Sequence, residues 1–317
     1  MLTRSQKIKM HADQKLHLIN KENLRLLEKY KVDMAIRELS PSTQDRYIGD
    51  LKGWFVYVLE HQDNRTVLEL IDDDITEYLY WCKKLGNNAN RMKLRVSVIS
   101  AFYRFLRKKK FLTTNPTEFI EPPKRVVPVI VQTYLTSEQV ALMREELIKS
   151  NKTQLRLYAM LSLSTMARLS AIASLKWSQI DMNSCIIHDV REKEGKIVDI
   201  YFNDEVKQLL LILKSERTEK KQNDHGWLWY TGRCTETTHI HTTTLGEWCK
   251  RIGKMTGIET LHPHDFRHSG ATLLRNAGMA LEDISVLLNH ESTDTTQRFY
   301  VKHDTARIND MKSRLNY

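Results

Sequence analysis

Long apolar runs are missing from this sequence: nothing approaches the ~18 consecutive apolar residues of a membrane-spanning helix. The N-terminus, Met1 to Lys31, is charged throughout and lacks the apolar core of a secretory signal. Cysteine is scarce. Cys82, Cys185, Cys234 and Cys249 include no CxxC pair, and a chain of 317 residues needs no disulfide staples. They are expected to be reduced thiols in a cytoplasmic protein. Proline is nearly as scarce and unevenly spent: four of the six, Pro116, Pro122, Pro123 and Pro128, crowd one stretch that also carries Lys124 and Arg125. Proline blocks helix and removes donors, so this stretch reads as an extended linker.

What is abundant is positive charge. Lysine and arginine total 49 against 39 acidic residues, a net charge of +10. The pI is near 9.3. That surplus suits a polyanionic partner such as nucleic acid.

The pattern divides the chain into a charged, partly helical leader without a core (1–32), a helical domain (33–120), a linker (121–134) and a second domain (135–317). In the first domain, Ser40-Pro41 supplies an N-cap and a first-turn proline. Tyr47, Leu51, Trp54, Phe55 and Val58 follow at helical spacing. A second helix is expected from about Ile75, after Asp72-Asp73-Asp74, to Gly86. A third is expected from about Asn90 to Lys109, burying Leu94, Val98, Phe102 and Phe105 and carrying Arg91, Lys93 and Arg95 near its start. In the second domain, Thr136-Ser137-Glu138 opens a helix, and an apolar helix follows from about Gln154 to Met166. Ser170 to Trp177 makes a short helical turn. Two strands, Cys185–Val190 and Ile197–Phe202, are joined by a polar hairpin containing Lys193 and Lys196. The rest is mostly helical. The expected fold is mostly α with a small antiparallel β-sheet.

The densest chemistry lies in Leu261-His262-Pro263-His264-Asp265-Phe266-Arg267-His268. Pro263 starts a helix, and His264 and Arg267, three apart, project from one face of its first turn. An imidazole and a guanidinium at a helix N-terminus form a cradle for phosphate. Downstream come Leu287-Leu288-Asn289-His290 and Thr295-Thr296-Gln297-Arg298-Phe299-Tyr300; upstream, Arg168 opens Arg168-Leu169-Ser170. His264 and His268 could also be read as metal ligands, but the glutamate of an H-E-x-x-H box is absent and no thiol pair lies near. Neither metal nor cofactor is expected.

In these motifs the chain resembles the tyrosine recombinases, the family of the phage integrases, the Xer recombinases and Cre. The resemblance covers roughly 33–317. It implies a two-domain, C-shaped clamp on duplex DNA: a helical core-binding domain and a catalytic domain that cuts and rejoins DNA through a 3′-phosphotyrosyl intermediate and a Holliday junction. It implies that Arg168 and Arg267 hold the non-bridging phosphate oxygens, that His264 takes the proton of the attacking tyrosine, and that His290 hydrogen-bonds the phosphate. A hairpin lysine, Lys193 with Lys196 as the alternative, protonates the leaving 5′-oxygen. Arg91, Lys93, Arg95, Lys124 and Arg125 are the expected DNA contacts. Partners implied are double-stranded DNA with an inverted-repeat core site, further copies of the chain up to a homotetramer, and any accessory DNA-bending factors, with no membrane.

The chain departs from the family pattern in three places. Met166 stands where relatives have a glycine and Ala171 where they have an acidic residue; Asn289 replaces a common glycine. The usual spacing from His290 to the nucleophile is nine residues, which falls on Phe299, with Tyr300 one further. Either Tyr300 acts in a shifted register, or the nucleophile is lost and the chain is an inactive DNA-binding relative.

Overall fold

The computed structural model describes residues 13–123, 134–192 and 195–289. The chain divides into two compact units, Met1–Val129 and Ile130–Tyr317.

The first unit is helical. Its elements are α1 (Lys21–Ile36), α2 (Pro41–His61), α3 (Asp72–Lys84) and α4 (Ala89–Lys108). Short polar side chains start them. Asn20 Oδ1 accepts from Glu22 N, Ser40 Oγ from Thr43 N and Asn88 Oδ1 from Arg91 N. Three aspartates fill the first turn of α3 and two lysines its last, both favourable to the helix dipole. The acids expected to precede α3 are therefore part of it. The core is aromatic: Trp54, Phe55, Tyr78, Phe102 and Tyr103 are all nearly fully buried.

Two expectations are corrected here. Residues 21–32 are not a coreless leader. They form most of α1, which buries Leu26, Leu27, Tyr30 and Met34. Asn23 fastens it, donating to Arg65 O at 3.0 Å and accepting from Val67 N at 2.7 Å. On α4 the buried stripe is Met92, Arg95, Val96, Val98, Ile99, Phe102, Tyr103, Phe105 and Leu106, so Val98, Phe102 and Phe105 are core residues as expected. Leu94 falls off that stripe and is exposed, whereas Arg95 lies on it and is 6% exposed.

The second unit contains α5 (Ser137–Lys149), α6 (Thr153–Thr165), α7 (Leu169–Ala173), β1 (Ile180–Asp181), β2 (Ile186–Arg191), β3 (Ile197–Tyr201), α8 (Asp204–Glu219), α9 (Thr242–Met255), α10 (Pro263–Asn276) and α11 (Leu281–Leu287). Thr136 and Gln139 cap α5 reciprocally. The sheet is antiparallel in the order β1-β2-β3, with an irregularity between Ile187 and Val190. Ile187, Val190 and Ile200 point into the core. β1 was not foreseen, because two residues are too few to show a period.

Helix α6 is buried on nearly every side and packs against α8 and α10. Its crossing with α10 is close at Gly270, where a Cβ would lie 2.2 Å from Leu163 O and 2.7 Å from Met166 Cγ. Backbone cannot yield there as a side chain would. Gly270→Ala is therefore expected to destabilise the second unit by about 3 kcal/mol, visible as a lower urea midpoint. An unchanged midpoint would show that the helices can separate freely.

Candidate active site

The site begins where α6 ends. Met166 caps that helix in the left-handed conformation, φ +52°. This accounts for the glycine of relatives at this position, since only glycine adopts such a φ without penalty. Methionine is held there by packing: its side chain joins Ala271, Ile284 and Leu288 in a small buried cluster. The turn delivers Arg168 to the start of α7 in an extended conformation. Trp229 Nε1 donates to Ile172 O at 2.5 Å and so pins α7 from below.

Helix α10 supplies the next two groups. Pro263 occupies its first turn, and Asp265 Oδ2 accepts from His262 N at 2.7 Å. Arg267 is 6% exposed. Its Nη1 donates to Met166 O and its Nη2 to Leu288 O, both at 2.5 Å. One guanidinium thus ties the turn before Arg168 to the end of α11. Sequence reasoning saw Arg267 only as a phosphate ligand and missed this bracing.

His264 is exposed, yet enough protein surrounds it that burial is the first cause lowering its pKa; Arg267 and Arg168 oppose its charge further. His268, one turn on, is also lowered, first by burial and then by His264. The two rings lie 6.4 Å apart between centroids. His264 is therefore neutral at pH 7 and free to accept a proton. In the unfolded chain it would take one near 6.5, so folding stability is full above that value and declines as pH falls through the lowered one. The acid limb of the cleavage rate, measured at subsaturating protein, is expected below pH 6.5. A limb at or above that value would assign His264 no such role.

Arg168, His264 and Arg267 are thus brought together, at the N-terminus of a 14-residue helix. A fourth residue joins them. Glu192, just past β2, has a side chain only 1% exposed and pairs with Arg168 Nη1. The hairpin was expected to be simply polar. The inward turn of Glu192 was nonetheless legible, since it continues the alternation from buried Val190 through exposed Arg191.

Lys193, His290, Tyr300, Lys124 and Arg125 lie outside the described residues. Asn289 is left-handed at φ +49°, in keeping with the glycine it replaces. In the first unit, Arg95 donates to Tyr78 Oη at 2.6 Å and pairs with Asp50 at 3.7 Å. It is a core residue there, not a surface contact, because the helical stripe turns it inward. Arg91 also binds Asp50 but stays partly exposed, as does Lys93. Among the described residues no group of three or more His, Cys, Asp or Glu is arranged to hold a metal.

Residues 133–307 match the phage integrase family, and residues 27–110 match the phage integrase N-terminal SAM-like domain. The tyrosine recombinase XerD of Oceanobacillus iheyensis is 30% identical over 289 residues, covering 87% of this chain and 92% of XerD. A lambda integrase dimer bound to a COC′ core site superposes with a TM-score of 0.69 at 18% identity, covering 88% of this chain and 95% of that one. A lambda integrase tetramer bound to a Holliday junction gives 0.66 at 19% identity, covering 87% and 76%. The chain belongs to the phage integrase family. Within it, this protein is a site-specific tyrosine recombinase.

Proposed function

We propose that the protein exchanges strands of duplex DNA by a phosphotyrosyl mechanism. The observation that carries this reading is the convergence of Arg168, His264 and Arg267 at the start of α10. A tyrosine hydroxyl, assigned to Tyr300, attacks phosphorus. The Tyr–O–P bond forms, the bond from phosphorus to the 5′-oxygen breaks, and the tyrosyl proton passes to His264. Arg168 and Arg267 face the charge that grows on the non-bridging oxygens. Lys193 gives the 5′-oxygen its proton, and His290 donates to the phosphate. The covalent 3′-link conserves the bond energy, so the reverse attack by a new 5′-hydroxyl rejoins the strand.

In the first unit, Arg91 and Lys93 are the DNA contacts we retain, with Lys124 and Arg125 proposed from the sequence. Assembly as dimers on inverted half-sites and tetramers at a Holliday junction is supported by the lambda integrase complexes. The reaction would serve integration or excision of a mobile element or phage, or resolution of a replicon dimer. No helix among the described residues is long and apolar enough to cross a membrane, and a cytoplasmic location is proposed.

Each catalytic role is assigned to a side chain of the protein. A duplex nicked beside the cleavage point should therefore trap a covalent adduct equally well with and without EDTA. An adduct lost in EDTA and restored by a divalent ion would rule out this mechanism.

A further inference from the structure

The Arg168–Glu192 pair is not required by any step above. A buried carboxylate is expensive unless its charge is compensated. Here one oxygen meets Arg168 Nη1 and the other, Oε1, has no hydrogen-bond partner among the described residues. Glu192 is itself held firmly: its backbone N donates to Lys196 O at 2.7 Å, closing the hairpin. The Arg168 side chain remains 29% exposed, and among the described residues its ion-pair partner is Glu192. One guanidinium nitrogen is thus anchored from within the fold while another edge stays open to solvent. At the usual acidic position of relatives, Ala171 has nothing to offer Arg168.

We propose that Glu192 is a positioning residue for the recombination reaction, aiming the open edge of Arg168 at the scissile phosphate. The inference rests on the assignment of Arg168 to that phosphate. A free arginine side chain samples many rotamers, and ordering it in advance is what lets its charge act without reorganisation. The carboxylate also repels the phosphate. It stands on the far side of the guanidinium, however, and Coulomb interaction weakens with distance, so the nearer cation dominates.

The test uses the full-length protein, a nicked phosphodiester substrate, and the same substrate with a methylphosphonate at the cut. The methylphosphonate lacks one charged oxygen and so needs less from Arg168. Glu192→Gln, which keeps shape and removes charge, is expected to slow adduct formation about 100-fold on the phosphodiester, with DNA affinity unchanged within about twofold. On the methylphosphonate its defect should nearly vanish. Equal slowing on both substrates would mean a merely structural role and overturn the proposal. So would wild-type or faster cleavage by Glu192→Gln while Arg168→Ala is inactive, since the carboxylate would then be idle or an obstacle and only the role of Arg168 would stand. Normal cleavage by Arg168→Ala would remove the role of Arg168 and this proposal together.

Discussion

Tyr300→Phe is expected to abolish the covalent protein–DNA adduct while leaving DNA binding intact. Tyr300 is the only tyrosine between His290 and Tyr317, and it follows Thr295-Thr296-Gln297-Arg298. Attack needs an in-line hydroxyl about 3–3.5 Å from phosphorus. One residue of helix swings a side chain by about 100°, so Tyr300 and Phe299 cannot both serve from one backbone register. The adduct trapped on a nicked duplex should map to the peptide containing Tyr300. Should the wild-type chain form no adduct while Phe299→Tyr creates one, position 299 is the nucleophile site and the natural chain is inactive. Loss of binding in Tyr300→Phe would instead indicate a structural role.

The second large effect is expected at Arg267. Its guanidinium holds two backbone carbonyls, Met166 O and Leu288 O, and is itself buried. Arg267→Ala should leave both acceptors without that donor, destabilising the second unit by about 3 kcal/mol. It should also slow adduct formation by roughly 10³-fold, through the lost cation and the slackened turn before Arg168. Arg267→Lys is the informative companion. A single ammonium restores charge but lacks the planar fork that spans two acceptors. Part of the stability should return and little of the activity. Urea melts beside single-turnover cleavage will separate the two, and an alanine variant as stable as wild type would refute the bracing role.

The fold was legible wherever local chemistry decides it. Ser40-Pro41, Thr136-Ser137-Glu138 and Pro263 each open a helix as expected; the reciprocal cap of Thr136 by Gln139 was not foreseen. The strands around residues 186–191 and 197–201 announced themselves by period and β-branched content. The convergence of Arg168 and His264 was legible through resemblance alone, because nothing in either segment points to the other across nearly a hundred residues.

What escaped was decided at a distance. Arg95 can turn inward only because Asp50 and Tyr78 await it, and neither is near in sequence. Charge suggested a DNA contact for Arg95, and spacing from the buried Val98, Phe102 and Phe105 suggested burial for Leu94; tertiary packing reversed both. Arg267 was read for its charge, and its use of backbone acceptors left no trace in residue type. Glu192 was grouped with the polar hairpin; the strand alternation could have turned it inward, but its partner Arg168, before the sheet begins, could not be read locally.

The helix Lys21–Ile36 bears on how such proteins exchange parts. A segment can move between chains as a module only if its boundary severs few contacts. The N-terminal family match opens at residue 27, inside this helix. Upstream of it, Asn20 is bound twice to Asn64, and Asn23 holds the backbone at Arg65 and Val67. A junction at residue 27 or 33 would strand those acceptors and open the aromatic core. The seam for recombining this half with another protein therefore lies upstream of Leu18, whose carbonyl accepts from Asn64 Nδ2, and of Ile19, which is buried in the same core.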